Sequence, residues 1–340
     1  MDISEIRAEI DKTDDKIAEL FLQRLNLTAA AANFKIENEL DMHDTSREQE
    51  IINRLSAEVD PGFDIYIKAL YSDIFDISRQ IQMHLLQISN IDYGLIGKNV
   101  TYSYSKWIHH AFGNASYGLY NITDAQIPLL FKKRSFKGLN IDYPFITSVI
   151  PYCDNFSENA QKAGYANTLL NKDNVITGYN TEYCGFLKAA TDAGISFEGK
   201  RVMVFGSGHV SNMVQAVLRD NGASEILIVS RTGTINYRTL YEHNDVDILV
   251  NTTPIGMSPN AELCPVELAP FKNLSGVIDM IYTPIETRLL AEARNRNIPT
   301  ADGLSIFIAK SAFDTELFLG AAPDKNTQLD LYDELLTFAV

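Results

Sequence analysis

EIRAEIDKTDDKIAELFLQRLNLTAAAANFK, residues 5–35, forms one uninterrupted helical pattern. From just before it, apolar or tolerated residues recur every three or four positions and predict a buried stripe: Ile3, Ile6, Ile10, Thr13, Ile17 and Leu20. Arg24 takes the next position on this stripe, and Lys35, about three turns later, lies on nearly the same face. Only small side chains separate the two cations there: Thr28, Ala31 and Ala32. Because a buried charge is costly unless it is paired, this arrangement predicts a cavity for an anion.

Arg7 cannot serve that cavity from the same copy of the helix. It precedes Arg24 by seventeen residues, which places it about 260° away around the helix. A helix of about 30 residues is also about 45 Å long, more than a domain of this size covers alone. We therefore expect a homodimer in which two such helices lie side by side and Arg7 reaches the partner's cavity.

The composition limits the class of protein. The chain has 340 residues, a net charge of −15 and 46% hydrophobic residues, enough for two or three domains. Its acidity argues against nucleic acid or an anionic membrane as a partner. Three cysteines lie far apart without metal-ligand spacing, so no metal site is predicted. With no signal peptide and no membrane-spanning run recognised, we expect a cytoplasmic protein.

The first 87 residues are predicted to be helical throughout. A second helix begins at Thr45 with a capping box to Glu48 and runs to about Val59, and a third spans about 63–87. Asp44, Arg47 and Glu48 share one turn, while Ser78 and Gln82 share a face of the third helix. Singly, each polar residue fits an ordinary cap, surface ion pair or exposed face. Together with the three basic residues of the first helix, they favour a binding site.

This segment resembles the all-helical chorismate mutases, which are intertwined dimers of three-helix chains, over its whole length. The resemblance implies that Arg7 of the other subunit, Arg24 and Arg47 bind the two substrate carboxylates. It further implies that Lys35 and Gln82 donate to the ether oxygen and that Glu48 holds the ring hydroxyl and Lys35. Asp44 and Ser78 would complete the wall. Such a site orients a dicarboxylate and stabilises charge developing on the ether oxygen, and it calls for no metal or cofactor.

From Tyr93 the pattern changes to alternating strands and helices. It is clearest at residues 201–230, where a strand, the turn Gly206-Ser-Gly208, a helix and a second strand form a βαβ unit. A glycine turn at a helix N-terminus suits a pyrophosphate, although Ser211 replaces the third glycine of the usual fingerprint. The second strand ends in Ser230-Arg231 rather than an acid, which favours a 2′-phosphorylated dinucleotide.

Residues 93–340 resemble shikimate dehydrogenase. The matching stretches include Gly94-Leu-Ile-Gly with Ser103-Tyr-Ser105, Ala166-Asn167-Thr168, Gly178-Tyr-Asn180-Thr181, Asn251-Thr-Thr-Pro-Ile-Gly256-Met257 and Asp302-Gly303-Leu304. The implied fold class is multidomain: a helical mutase domain (1–88), then an α/β module with a substrate domain (93–187 plus 306–340) and a Rossmann-type domain (188–305). The resemblance allows NADP in this module, at Gly206, Gly208, Ser230, Arg231, Thr232, Thr253, Met257 and Gly303.

The positions at which this chain differs from that family are those that carry out the family's chemistry. The family carries Asn-Val-Thr-Ile-Pro-Tyr-Lys, whose lysine is the acid–base group of the hydride transfer, but this chain has Ile146 for the lysine and Asp142 for the threonine. Glu182 replaces the partner aspartate, and Lys310 replaces a glutamine that touches substrate. Ser103, Ser105 and Asn167 are retained. Isoleucine cannot transfer a proton, and loss of a general acid–base group costs about 10²–10⁴-fold in rate.

Three interpretations of the second module follow. The one adopted from the sequence is a module that has lost dehydrogenase activity and serves the mutase as a regulatory or scaffolding domain, with a small-molecule effector as a candidate ligand. The second is a dehydrogenase with altered chemistry that uses Lys310 and Glu182. The third is ordinary NADP-dependent shikimate dehydrogenation, which would make the chain bifunctional.

Overall fold

The computed structural model describes residues 2–338 of the chain. The described residues form two compact units, one made of residues 2–91 and 128–135 and the other of residues 92–127 and 136–338. We call them the helical unit and the α/β unit. No helix in the described part of the chain is long and apolar enough to cross a membrane. The domain bounds 1–88, 93–187 with 306–340, and 188–305 stay a prediction.

The helical unit contains three principal helices, α1 (Ile3–Glu37), α2 (Thr45–Ala57) and α3 (Asp64–Ser89). The predicted long first helix is therefore present, and Asp2 and Glu5 form a capping box at its start. The second half of α1 packs on α3, with Ala32, Ile36 and Leu85 in a small apolar core. Leu129, from the segment 128–135, joins that core.

The stripe from Ile3 to Leu20 is exposed in a single chain, as is every residue from 2 to 20, so its burial stays a prediction that requires a second copy. The physical reason is length: α1 outruns the part of the unit that covers its second half. The cap of α2 is Asp44 rather than Thr45, because the Asp44 carboxylate accepts the amide of Arg47 at 2.9 Å.

The α/β unit begins with a mixed six-stranded sheet. Its strands are β1 (Tyr93–Gly97), β2 (Tyr117–Asn121), β3 (Gly138–Ile141), β4 (Asn155–Phe156), β5 (Thr168–Lys172) and β6 (Val175–Tyr179), in the order β2-β1-β3-β5-β6-β4. The accompanying helices are α4 (Ser105–Ala111), α6 (Glu158–Ala163) and α7 (Thr181–Asp192), while α5 (Ile127–Lys133) lies in the same stretch of chain but belongs almost entirely to the helical unit. Strands β1, β2 and β3 are parallel, and β5 is antiparallel to both of its neighbours.

A second sheet, of five parallel strands, follows. It contains β7 (Arg201–Phe205), β8 (Glu225–Val229), β9 (Ile248–Asn251), β10 (Gly276–Asp279) and β11 (Thr300–Ala301), in the order β11-β10-β9-β7-β8. Helices α8 (His209–Asp220) and α9 (Arg288–Asn295) belong to it, and α10 (Gly303–Leu319) and α11 (Lys325–Phe338) end the chain. The predicted βαβ unit is confirmed as β7-α8-β8, with buried apolar residues on the strands as parallel sheets require.

Candidate active sites in the two units

Arg24 meets Ser78 in the helical unit. Its Nη1 donates a hydrogen bond to Ser78 Oγ at 2.6 Å, and its Cζ lies 5.4 Å from the centroid of the Phe75 ring. Burial lowers the pKa of Arg24, and electrostatic interactions with the neighbouring side chains, including the Glu48 carboxylate, oppose that fall. The cation predicted from α1 is thus placed beside the polar residue predicted from α3, with Glu48 of α2 in electrostatic reach.

Glu48 pairs with a residue that the sequence analysis did not select. Arg79 Nη1 lies 2.6 Å from Glu48 Oε2, and both side chains are more than two-thirds buried. Arg79 also contacts the Asp76 carboxylate one turn earlier on α3. The signal that could have identified it is its position directly after Ser78, together with the acids within reach.

Lys35 lies in the last turn of α1, and Asp44 and Arg47 lie at the start of α2. Lys35 Nζ donates to the carbonyl oxygen of Met42 at 3.0 Å, and the Lys35 charge contributes to the lowered pKa of Asp44, whose larger causes are hydrogen bonds from Ser46 and Arg47. The Arg47 side chain is exposed and pairs with Glu50 at 2.6 Å. In one chain, therefore, Arg47 is engaged by Glu50.

Arg7 and Gln82 complete the predicted set. Arg7 lies on the exposed first half of α1, and Gln82 is half-buried on α3, one turn after Ser78. Within residues 2–338 neither side chain has a hydrogen bond. The single chain therefore brings together Arg24, Ser78 and Glu48, while Arg7 stays about 26 Å along the helix from Arg24.

The α/β unit places the predicted serines and Asn167 in ordered positions. Ser103 Oγ donates to Ser105 Oγ at 2.9 Å at the start of α4. Asn167, which is buried just before β5, accepts the amide of Thr181 at 2.8 Å and donates to its hydroxyl at 3.1 Å. These bonds join the start of β5 to the N-terminus of α7, which carries Glu182.

Glu182, Asp142 and Ile146 are three of the four residues at which the sequence departs from the shikimate dehydrogenase pattern, and Lys310 is the fourth. Glu182 Oε2 accepts the hydroxyl of Tyr165 at 2.5 Å. Burial raises the pKa of Glu182 and of Asp142, and in both cases Lys310 opposes the rise. Ile146 is buried and offers no polar atom to the site.

Lys310 forms an ion pair that the sequence analysis missed. Its Nζ lies 2.7 Å from Asp314 Oδ2, and the two side chains are 8% and 0% exposed. Asp314 Oδ1 accepts hydroxyls of Thr168 and Thr181, each at 2.7 Å. The signal was present, because a lysine and an aspartate four residues apart interrupt the otherwise apolar helix α10.

The glycine turn of the second sheet fits a dinucleotide. Gly206 has φ +111°, and a Cβ there would lie 2.5 Å from Thr252 Oγ1, so the turn requires glycine. Gly208 caps α8 without a side-chain hydrogen bond, and the space beside its Cα is open. The first-turn amides of α8 are therefore available to a phosphate.

The other predicted cofactor residues surround the carboxyl ends of the parallel strands, where open α/β sheets bind ligands. Arg231 and Thr232 are exposed after β8, next to Ser230, and Met257 is 45% exposed beyond β9. Thr253 Oγ1 donates to Asn251 Oδ1 at 2.7 Å. Gly303 starts α10 where a Cβ would lie 2.3 Å from the carbonyl oxygen of Ile281, so the close packing there excludes a side chain. These residues fit NADP.

A separate cavity of about 230 Å³ lies between α7, α10 and α11. Its polar lining includes Lys188, Asp302, Lys325 and Tyr332, and none of the predicted pocket residues of either unit contributes to it. Asp302 accepts the hydroxyl of Tyr332 at 2.8 Å, so its polar wall is already satisfied internally. The cavity is therefore not the site that the departures from the family pattern define.

Comparisons with known proteins divide the chain in the same way as its sequence pattern. Residues 6–83 match the family described as chorismate mutase type II, and residues 95–169 match the shikimate dehydrogenase substrate binding domain. The chain is 32% identical over 264 residues to the shikimate dehydrogenase (NADP(+)) of Clostridium perfringens, covering 72% of this chain and 97% of that protein. The corresponding protein of Geobacillus kaustophilus is 30% identical over 270 residues, with 72% and 98% covered.

Solved structures show the same relationship. A chorismate mutase/shikimate 5-dehydrogenase fusion protein from Clostridium acetobutylicum is similar with a TM-score of 0.68 and 28% identity, over 73% of this chain and 97% of that one. Shikimate 5-dehydrogenase of Thermus thermophilus, in complex with NADP(H) and shikimate, is similar with a TM-score of 0.64 and 25% identity, over 72% and 99%. The chain therefore belongs to the shikimate dehydrogenase family and carries a chorismate mutase type II domain at its N-terminus.

Proposed function

We propose that the helical unit converts chorismate to prephenate. The observation that carries this proposal is the convergence of Arg24, Ser78 and Glu48 from three helices, with Arg24 bonded to Ser78 at 2.6 Å. An arginine fork held by a neutral hydroxyl keeps its charge available for a carboxylate. That is the first requirement of a site that orients a dicarboxylate for an intramolecular rearrangement.

The roles follow from the chemistry of the side chains. Arg24, Arg47 and Arg7 from a second copy bind the two carboxylates and hold the substrate in its compact reactive conformer. As the C–O bond breaks, negative charge grows on the ether oxygen, and the Lys35 ammonium and Gln82 amide stabilise it. Glu48 accepts the ring hydroxyl and orients Lys35, while Asp44 and Ser78 line the wall. Substrate binding would have to draw Arg47 from Glu50, an exchange that an exposed ion pair permits cheaply.

We propose further that the unit works as a homodimer. The exposed stripe on α1 includes Ile3, Ile10 and Leu20, which are 62%, 52% and 64% exposed in a single chain. A contiguous apolar stripe of this kind favours an interface, and a second α1 alongside would cover it and bring in Arg7. A cytoplasmic location is the setting that we propose for both units.

The test of the mutase is chorismate consumption by the full chain and by two arginine variants. Arg24→Ala should lower kcat/KM by at least about 100-fold, since loss of a charged contact at such a site costs roughly 3 kcal/mol. Arg54→Ala is the matched control, because Arg54 lies in the same unit in an exposed pair with Glu58. Absence of turnover in the wild-type chain would overturn the proposal.

For the α/β unit two functions are in competition. Because Ile146 replaces the acid–base lysine, the first function is a unit without dehydrogenase activity. It would have a regulatory or scaffolding role and bind a small-molecule effector. A bifunctional chain that also reduces or oxidises a shikimate-type hydroxy acid with NADP(H) is the alternative. The alternative is favoured at least equally by the family membership and by the fit of the Gly206 turn to a dinucleotide.

One pair of measurements separates these functions. Absorbance at the NADPH band with 3-dehydroshikimate reports dehydrogenase turnover by the full chain. Chorismate turnover with and without shikimate and NADPH reports regulation of the mutase. Reduction of 3-dehydroshikimate establishes the bifunctional enzyme. Its absence, combined with altered chorismate kinetics on ligand addition, establishes the regulatory module.

A further inference from the structure

The α/β unit contains a buried ion pair at the position where its sequence departs from the family. Lys310 and Asp314 are one turn apart on α10, with Nζ and Oδ2 separated by 2.7 Å and both side chains almost fully enclosed. Burying two charges is costly because both are desolvated, so we examine this pair as a part of the site. The pair also carries the only lysine among the residues that depart from the family pattern in this pocket.

Asp314 is fixed and ionised. The hydroxyls of Thr168 on β5 and Thr181 on α7 both donate to its Oδ1, which leaves Oδ2 for Lys310. Burial alone would raise the pKa of Asp314, but the neighbouring Lys310 holds that pKa below its ordinary value. His109 itself is neutral, because burial lowers its pKa to about 3. The ion pair of this cluster is therefore the one between Lys310 and Asp314.

Lys310 also lies against the helix that carries Glu182. A Cβ added to Gly185 on α7 would lie 2.7 Å from Lys310 Cβ, so the missing side chain of Gly185 lets the two helices approach at this point. Glu182 precedes Gly185 by three residues and shares its helix face. The Lys310 charge acts on the carboxyl groups of both Glu182 and Asp142.

We propose that Lys310 is the proton-transferring residue of the α/β unit and that Asp314 is its positioning residue, in place of the lysine that Ile146 replaces. The substrate class is a ring keto acid with further hydroxyl groups, which Glu182 and Asp142 accept. This inference rests on the dehydrogenase candidate under Proposed function.

The step balances as a reduction. When bound, a reduced nicotinamide would supply the hydride that forms the new C–H bond at the carbonyl carbon. The π electrons of the C=O bond move to the oxygen, and Lys310 gives its proton to that oxygen, forming the hydroxyl. Lys310 is left as a neutral amine beside ionised Asp314 and takes a proton from solvent. The reverse reaction uses the neutral amine as the base.

The experiment uses the full chain with 3-dehydroshikimate and NADPH, and compares wild type with Lys310→Met. The wild type should oxidise NADPH, and Lys310→Met should lose about 10²–10⁴-fold in kcat, the range for loss of a general acid. Because Lys310→Met leaves Asp314 buried without its partner, Lys310→Met/Asp314→Ala removes both charges and should be equally inactive. Chorismate turnover by the same samples reports that the chain is folded.

Two readouts separate proton transfer from structural support. Asp314→Asn should move the limb of the pH–rate profile that reports Lys310 to lower pH, since the ammonium loses its carboxylate. Without any cofactor, reductive methylation of Lys310, followed by mass spectrometry, should be several-fold faster in Asp314→Asn, because more of the amine is neutral. Shikimate should protect Lys310 from this modification.

The outcomes decide among the proposals. Wild-type turnover that Lys310→Met retains would overturn the role of Lys310 alone. Absence of wild-type turnover would overturn both this role and the dehydrogenase candidate, and chorismate turnover in the same sample would leave the mutase standing. Equal methylation rates in wild type and Asp314→Asn would overturn the positioning role of Asp314. A Lys188→Met chain, which removes an exposed lysine paired with Asp192, is the matched control for lysine loss.

Discussion

Arg79 of α3 holds Glu48 of α2, with Nη1 and Oε2 2.6 Å apart and both side chains largely buried. Glu48 is the residue proposed to accept the ring hydroxyl of chorismate and to orient Lys35. In the single chain the Glu48 carboxylate is therefore held in place by a residue of α3. Arg79 is anchored in turn by Asp76, so the pair forms a short network across two helices.

Replacing Arg79 should impair catalysis more than substrate binding. In Arg79→Ala, Glu48 loses its restraint, and we expect kcat for chorismate to fall about 3–10-fold, equivalent to roughly 1 kcal/mol for a partly exposed pair. The Michaelis constant should change less, and Arg79→Lys should recover part of the rate. Steady-state kinetics on the full chain measure both constants.

Lys68→Ala is the control for Arg79→Ala. Lys68 lies on the same helix in an exposed pair with Asp64, far from Glu48 in sequence, so its loss removes a cation from α3 without touching the site. A kcat for Arg79→Ala equal to that of Lys68→Ala would show that Glu48 needs no support from α3.

Sharing of the active site between subunits predicts complementation. Arg7→Ala and Arg24→Ala should each be inactive as pure proteins, because each removes one arginine from both sites of a homodimer. After subunit exchange in an equal mixture, half of the dimers are hybrids, and each hybrid has one intact site. About a quarter of wild-type chorismate turnover should therefore return. A mixture that stays inactive after verified exchange, with both pure variants inactive, would show that Arg7 acts within its own chain.

The exposed stripe of α1 gives a second, physical test of the dimer. Ile10→Asp places a charge on the stripe and should shift the full chain towards the monomer in sedimentation equilibrium. Ala8→Asp adds the same charge about 160° away around the helix and is the matched control. Equal association by both variants would contradict an interface along this stripe.

Much of the architecture was accessible from the sequence because it is written in local patterns. Helical periodicity predicted α1, and the alternation of strands and helices around Gly206 predicted the β7-α8-β8 unit, both of which the structure confirms. The pattern alone does not decide what covers the α1 stripe, because burial depends on what lies opposite a helix face. A single sequence does not specify whether that neighbour belongs to the same chain.

The site was accessible only in part, for a related reason. Sequence spacing predicted Arg24 and Ser78 as site residues. They are 54 residues apart, however, and their contact depends on how α1 packs on α3. Arg79 and Asp314 were missed because each owes its role to a partner elsewhere in space. An arginine on a polar helix face resembles ordinary helix surface until the structure shows its pair with Glu48, and the lysine–aspartate spacing of α10 predicts a pair but not its hydrogen bonds to Thr168 and Thr181.

Arg231 should determine the choice between NADPH and NADH. It is exposed directly after β8, where an acid would instead hold a ribose hydroxyl. Arg231→Ala should weaken NADPH binding about 10–100-fold, since a hydrogen bond to a charged group is worth roughly 1.5–3 kcal/mol, and should leave NADH binding unchanged. Fluorescence titration of the full chain gives both dissociation constants.

Arg219→Ala is the control for Arg231→Ala. Arg219 is exposed near the end of α8 and bonds to Gln215, away from the N-terminus of that helix. Equal loss of NADPH and NADH affinity in Arg231→Ala would show a general electrostatic effect rather than recognition of the 2′-phosphate.

Asp279 is a buried carboxyl group at the end of β10. It accepts hydrogen bonds from Asn251 at 3.0 Å, from the amide of Ile281 at 3.1 Å and from the hydroxyl of Thr287 at 2.8 Å. Burial nevertheless raises the pKa of Asp279 to about 6, with these hydrogen bonds opposing the rise. The group joins β9, β10 and α9 at the carboxyl edge of the second sheet, so its protonation state bears on the stability of the α/β unit.

A raised pKa gives a stability contribution that is full below the unfolded pKa of about 3.8 and is lost as the pH rises through about 6. A pKa raised by roughly two is worth on the order of 3 kcal/mol. Asp279→Asn removes the charge, keeps the Oδ1 acceptor for Asn251 and Ile281, and can donate its amide to the Thr287 hydroxyl. The variant should therefore gain stability over wild type between about pH 4 and pH 7 and hold a constant margin above that. Urea unfolding followed by the fluorescence of Trp107, the single tryptophan, reports on this unit. Unfolding free energies of the two proteins that run parallel across that range would show that Asp279 has an ordinary pKa in the folded chain.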